Sequence, residues 1–283
     1  MRGAMNTEHA RTFLAVADTG SFVAAAERLH VTQSTVSARI RALENTLGCR
    51  LFVRNKSGAS LTNEGGRFLK HASVMVRTFE QARQDIGLPK HFRARVNIGA
   101  RIGLWDGLML DWFSQIQCEH QDVSFRAESA FEPEIMQGLV DGRLEFGIMY
   151  TPQHRPNLEL LRFMTEQLVM VTSDPEGVLK PEQYVHVDWG PEFDAQLAAS
   201  FAELPGPATT VNIGWLGMEV LRRRSGCGYF PRRLIERHLC DGSLNLVENA
   251  PTFELPAWIL VREDRNHALL DPMIANLQDM AGR

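Results

Sequence analysis

The chain has 283 residues, 44% of them hydrophobic and 23% charged, a length for about two domains and a composition that excludes wholesale disorder. The net charge of −4 conceals a division, because residues 1–90 carry thirteen Lys and Arg against seven Asp and Glu, while residues 91–283 carry seventeen against twenty-seven. No run approaches the ~18 consecutive apolar residues of a membrane span, and four scattered cysteines without a Cys-x-x-Cys fit a reduced, cytoplasmic setting better than a disulfide scaffold or a zinc module.

A basic amino-terminal third on an acidic body is the charge pattern of a nucleic-acid-binding module joined to something else. Met1 to His9 lacks an apolar h-region, so no secretory signal is expected there.

The first sixty residues are dense in helix signals. Phe13, Leu14, Val16 and Ala17 lead to a stop at Asp18-Thr19-Gly20. Ser21 is a natural N-cap for Phe22 to Leu29. Thr32 caps a third helix that ends at Gly48, with Val36, Ile40, Leu43 and Leu47 in one apolar stripe. Leu51 to Arg54 and Ala59 to Leu61 flank Asn55-Lys56-Ser57-Gly58 as a small hairpin. Thr62 opens a long helix. Phe68, Ala72, Met75, Phe79, Ala82 and Ile86 step by four and three, a heptad seam that points to pairing with a second copy. Gly87-Leu88-Pro89 ends it as a hinge.

After residue 92 strands and helices alternate. Val96 to Gly99 is a strand, followed by one helix with Trp105, Leu108, Met109, Trp112 and Ile116 on a face. Val123, Phe125 and Ala127 alternate as a strand, and Ile135 to Val140 is a helix ended by Gly142. Leu144 to Tyr150 and Leu168 to Thr172 are apolar strands. Val96-Asn97-Ile98-Gly99 is echoed by Val211-Asn212-Ile213-Gly214, each before a Trp-bearing helix, as two similar α/β lobes would require.

Ser21 to Gly48 has the form of a helix-turn-helix. Ala24, Ala25 and Ala26 permit the close approach that lets a second helix enter the major groove. The face opposite the stripe holds Ser34, Ala38, Arg41 and Asn45, with Gln33 and Ser37 near the helix start: short polar groups and a cation suited to base edges and phosphates.

With the hairpin and long helix that follow, the chain resembles the LysR-type transcriptional regulators. The resemblance is carried by Phe13-Leu14-Ala15-Val16, Ala25-Ala26-Glu27-Arg28-Leu29, Val31-Thr32-Gln33-Ser34-Thr35-Val36-Ser37, Ile40-Arg41-Ala42-Leu43-Glu44, Leu51-Phe52-Val53-Arg54 and Leu61-Thr62-Asn63-Glu64-Gly65. It continues thinly at Arg222 to Pro231. Trp105 and Asp188 to Phe193 resemble an enterobacterial branch that regulates the flagellar master operon.

The resemblance implies an α/β chain in three parts: a winged helix-turn-helix over 1–62, a dimerising linker helix and hinge over 63–91, and a two-lobed effector domain, similar to periplasmic binding proteins, over 92–283. Lobe 1 is placed at about 92–165 and 263–283, lobe 2 at about 166–262. It implies a homodimer or homotetramer that binds double-stranded DNA through Thr32, Gln33, Ser34, Thr35, Ser37, Ala38 and Arg41, with wing residues Arg54, Asn55 and Lys56 on the backbone. Ala38 stands where many members carry a long side chain; it can touch a thymine methyl but cannot hydrogen-bond guanine.

A small-molecule effector is expected between the lobes. Ala100, Arg101 and Ile102 of the first lobe, Ala130 and Phe131 after a strand, and Trp189, Gly214, Trp215 and Phe230 of the second are the candidate contacts. The family usually has serine or threonine at the place of Arg101, and a guanidinium there suits an anion. Pairing of Arg101 with Asp106 is the structural alternative.

Enzyme motifs are missing: no Gly-x-Gly-x-x-Gly, Walker loop, Gly-x-Ser-x-Gly or His-Glu-x-x-His occurs, and neither cofactor nor metal is expected. Glu132 and Glu134 read as a solvated helix start. A second reading keeps the architecture but senses redox state through Cys227, on a turn, and Cys240, near a helix end. A third makes the two-lobed part an enzyme or a transport-type binding protein.

Overall fold

The computed structural model describes residues 6–55, 58–178, 181–201, 206–207 and 209–282. The chain forms two compact units, Met1–Arg95 with Val140–Leu144, and Val96–Leu139 with Glu145–Arg283.

In the first unit, α1 (Thr7–Thr19) ends where Gly20 takes a left-handed conformation, with φ 63°. Ser21 then accepts a hydrogen bond from the Ala24 N–H and starts α2 (Phe22–Arg28). Thr32 does the same for Thr35 at the start of α3 (Gln33–Leu47), which Gly48 closes at φ 72°. Each side-chain cap stabilises its helix by about 1 kcal/mol. The wing is β1 (Phe52–Asn55) antiparallel to β2 (Gly58–Leu61). It is held to the α1–α2 corner by the Ala59 N–H, 2.7 Å from the Gly20 carbonyl. A Cβ on Gly58 would stand 2.5 Å from that carbonyl, and φ is +133°, so glycine is required there.

The core of this unit joins Phe13, Phe22, Val36, Ile40, Leu43, Leu51 and Phe52. Leu47 belongs to the expected stripe but lies at the surface, one turn beyond the packed part of α3. The long helix α4 (Asn63–Ile86) contributes Phe68, Ala72 and Val76 to the same core. Phe68 meets the Phe13 ring edge-on at 5.0 Å.

This divides the predicted heptad seam. Phe68 and Ala72 are consumed by the helix's own module, because the side facing α1 advances by four residues through Phe68, Ala72, Val76 and Glu80. Met75 is half-buried, Ala82 is exposed, and Phe79 and Ile86 are 47% and 87% exposed.

The second unit is built on a seven-stranded sheet and a separate two-stranded one. Its elements run β3 (Ala94–Ala100), α5 (Ile102–Leu104), α6 (Leu110–Glu119), β4 (Val123–Ser129), α7 (Glu132–Val140), β5 (Phe146–Met149) and β6 (Leu158–Thr172). They continue with β7 (Val185–Val187), α8 (Pro191–Ser200), β8 (Thr209–Val211), α9 (Gly214–Arg224) and β9 (Cys227–Pro231), then α10 (Arg232–Cys240), β10 (Asn245–Leu246), β11 (Phe253–Arg262) and α11 (His267–Ala281). Sheet order is β10-β6-β11-β5-β3-β4, with β9 also on β6. β3 and β5 are parallel, as a βαβ crossover demands. β7 and β8 form a parallel pair beside β9.

Two long strands serve both lobes. β6 pairs antiparallel with β11 from Leu158 to Leu168, with a register shift between Ala257 and Trp258. Beyond the shift β11 pairs with β5 in the first lobe, and β6 continues against β9 in the second. The apolar run Leu168–Thr172 thus marks only the buried end of a fifteen-residue strand.

The single helix expected across Trp105 to Ile116 is broken. Asp106 has ψ 130° and Gly107 φ 73°, so the chain kinks before α6, and Trp112 and Ile116 are buried on α6 alone.

Candidate nucleic-acid interface and inter-lobe cleft

On α3 the surface opposite Val36, Ile40 and Leu43 is open. Gln33, Ser34, Ala38, Arg41 and Asn45 are exposed, while Thr35 and Ser37 are half-buried. Thr32 is exposed, but its hydroxyl is engaged locally, 2.8 Å from Ser34 Oγ and 2.9 Å from Thr35 Oγ1. Thr32 and Thr35 therefore act first as a helix cap and leave Gln33 and Arg41 as the long exposed polar side chains among the predicted contacts. The opened first turn also presents N–H groups and the positive end of the helix dipole.

Arg39, between them in sequence, turns the other way. It reaches Glu8 at 3.2 Å and Thr12 at 3.3 Å and ties α3 to α1. Arg28 binds Asp18 at 2.5 Å and fixes α2 against α1.

Glu44 is a residue whose role sequence reasoning missed. It is buried, and its carboxylate accepts the Leu51 N–H at 2.8 Å and an Arg50 N–H at 3.0 Å. It holds the start of the wing against α3. Its signal was a charge on the apolar stripe itself, four residues after Ile40 and three before Leu47, inside the resemblance. Gly65 completes the joint: a Cβ there would lie 2.2 Å from the Leu51 carbonyl. Of the predicted wing contacts, Lys56 and the side chains of Arg54 and Asn55 lie outside the described residues; the backbone of Arg54 and Asn55 is in β1, paired with Ala59 and Gly58.

In the second unit three strand-to-helix junctions meet around Arg101. Ala100 is fully buried at the end of β3, and its carbonyl accepts the Ala130 N–H at 3.2 Å. Arg101 precedes α5. Its guanidinium carbon lies 4.5 Å over the Phe131 ring, and Nε stands 3.4 Å from Glu132 Oε1. Nη2 points to the Asn212 carbonyl at 3.5 Å, across in the second lobe. Asp106 is not its partner; of the two acidic residues in the first turn of α7, Glu134 is exposed as expected, whereas Glu132 is half-buried against Arg101.

A second arginine crosses in the opposite direction. Arg233, at the start of α10, donates to the Gly103 carbonyl at 2.9 Å and to the Asp106 carbonyl in the kinked turn. It also pairs with the buried Glu166 of β6 at 2.7 Å. The Tyr150 hydroxyl donates to the same Glu166 oxygen at 3.5 Å. Burial, and then the Glu166 charge, raise the Tyr150 pKa, so its proton is retained. Arg233, Glu166 and Tyr150 were not foreseen; β6 also carries Glu159, Arg162 and Gln167, so Glu166 did not stand out.

Other expected cleft residues are placed differently. Phe230 is fully buried in β9, beneath Gly217 and Gly228, and fills the second-lobe core. Trp189 is buried, donates to the Tyr229 carbonyl at 2.9 Å and meets Tyr150 edge-on at 6.2 Å. It supports Gly214 from behind, since a Cβ on that glycine would lie 2.6 Å from its ring. Trp215 and Ile102, on the first turns of α9 and α5, are exposed. Ala130 and Phe131 are half-buried, beside Arg101.

Cys227 lies in β9 and not on a turn; it is buried, Cys240 at the end of α10 is exposed, and neither is in a disulfide. No helix among the described residues is long and apolar enough to cross a membrane.

Comparison with known proteins bears on both units. The chain matches the bacterial regulatory helix-turn-helix proteins of the lysR family over residues 7–66 and the LysR substrate binding domain over residues 89–282. It is similar to the HTH-type transcriptional regulator HdfR of Shigella boydii and of Escherichia coli, at 29% identity over 282 residues, covering 97% of this chain and 99% of theirs. Its fold is shared by ArgP from Mycobacterium tuberculosis, with a TM-score of 0.60, 22% identity and 98% of each chain covered. Vibrio fischeri DarR, solved in complex with DNA, gives a TM-score of 0.59 at 18% identity, covering 98% of this chain and 100% of that one. The reading head, the long helix and the two-lobed α/β body thus have one common source: the chain belongs to the LysR family of transcriptional regulators, and is not an enzyme.

Proposed function

We propose that this regulator works in the cytoplasm as a dimer or higher oligomer that reads duplex DNA with α3 and adjusts its grip when the cleft around Arg101 changes. The observation that carries the reading is the division of α3: an apolar side fixed into the module core, and an opposite side where Gln33 and Ser34 stand exposed at the capped, electropositive helix start and Ala38 and Arg41 stand exposed further along. The predicted Arg54, Asn55 and Lys56 contacts are retained as backbone contacts flanking the groove. DNA binding by DarR supports the assignment by family membership.

Pairing through α4 is proposed for Met75, Phe79, Ala82 and Ile86. Together they form an apolar stripe at heptad spacing outside the module core.

Footprinting of the purified protein on genomic fragments tests the reading. Protection of two half-sites separated by about one helical turn, or a multiple of it, is expected of a paired reading head. Equal binding to all duplexes at moderate salt would overturn it.

A further inference from the structure

We propose that the cleft is a receptor for a guanidinium or similar flat organic cation, and that this chain fills it with its own Arg101. The inference rests on the reading of that cleft as the effector site, and it replaces the expectation that Arg101 awaits an anion.

The surroundings of the guanidinium decide its chemistry. The Phe131 ring presents a π face at 4.5 Å. Glu132 supplies a carboxylate at 3.4 Å and Asn212 a carbonyl at 3.5 Å. All three attract positive charge. An anion placed on Arg101 would have to displace Glu132 or share the site with it, and would meet the Asn212 carbonyl as well.

The site is also built and desolvated. The Arg101 side chain is only 9% exposed, so its charge has exchanged water for these partners. Its walls come from two segments, the β4–α7 junction and the β8–α9 junction, and Arg101 enters between them from the start of α5. The β8–α9 junction belongs to the second lobe, so the tethered cation bridges the cleft as a bound effector would. Arg233 reinforces the closed arrangement from the other side through Gly103, Asp106 and Glu166.

Arg101→Ala should leave a void lined by an aromatic face, an unpaired carboxylate and a carbonyl. Calorimetric titration of wild type, Arg101→Ala and Arg101→Ala/Glu132→Gln with n-propylguanidinium and with acetate tests this. The single variant is expected to bind propylguanidinium at least about tenfold more tightly than wild type does, and acetate no better. The double variant should lose that gain. Acetate preference, or equal propylguanidinium binding by wild type and single variant, would overturn the proposal.

A measurement on the wild type guards against a misfolded variant. The Arg101 Nε–H resonance should show slow exchange and an aromatic ring-current shift that Phe131→Ala abolishes; a mobile, solvent-like Arg101 signal would also overturn the proposal. Footprinting with the same preparations separates the two levels. Guanidinium capture without any change in footprint would remove the cleft's regulatory role while leaving the receptor intact.

Discussion

Gln33 and Arg41 share an exposed helix face but should behave differently. Gln33 sits in the first turn, where a side chain can reach base edges. Gln33→Ala is expected to cost ~1–3 kcal/mol in operator binding and to relax preference at one base pair. Arg41 lies two turns further along. Arg41→Ala should weaken all duplexes alike and reduce the salt slope by about one. Fluorescence anisotropy across a salt series, on the operator and its single-base variants, checks both. Confinement of the Arg41→Ala loss to one base pair would instead make Arg41 a base reader.

Glu44 poses a different test. Its carboxylate satisfies the buried Leu51 N–H, so Glu44→Ala leaves that donor stranded and should destabilise the amino-terminal unit by ~1–3 kcal/mol. Urea unfolding of the full chain reads this in the transition of that unit.

At the scale of elements, α4 has two jobs on two sides. Phe68, Ala72 and Val76 close the module core, whereas Phe79 and Ile86 lie outside it. Val76→Asp should unfold the amino-terminal unit. Phe79→Asp should leave its circular dichroism and melting unchanged while moving sedimentation toward the monomer. A Phe79→Asp protein that remains fully assembled at micromolar concentration would place pairing elsewhere.

The same helix shows what the sequence discloses and what it withholds. Ser21, Thr32, Gly20 and Gly48 announced helix ends because capping depends on neighbours within four residues. The apolar spacing of α4 was visible too. Its division between core and exterior was not, because that depends on where α1 packs. The Asp106–Gly107 kink was hidden by helical spacing on either side. Arg101 and Asn212 are 111 residues apart, and Arg233 and Glu166 are 67 apart. No local pattern pairs them; the negative charge expected opposite Arg101 comes from the chain's own Glu132, which local spacing did not reveal. Trp189 and Phe230 were drawn toward the ligand for the complementary reason: large aromatics serve a core and a cleft equally well in a linear pattern.

For the whole molecule, the Arg233–Glu166 pair is the clearest point of strain on removal. Glu166 is 2% exposed and Arg233 about a quarter exposed. Arg233→Ala strands a buried carboxylate and should destabilise the second unit toward the low end of the ~3–5 kcal/mol seen when buried pairs lose one member. Arg233→Met/Glu166→Gln should recover much of that loss. Thermal unfolding of the single and double variants reads the difference, and additive losses would show that the two side chains are energetically independent.

The continuous β6–β11 ladder gives the two lobes no slack connector. Its pairing is eased only at the shift beside Ala257 and Trp258, next to Pro256, which has no N–H to donate. The connection therefore behaves as a leaf spring clamped at both ends. Rotation of one lobe stores elastic energy in the strands instead of being absorbed by loose chain, so excursions are short and the rest position restores itself once a visiting molecule departs.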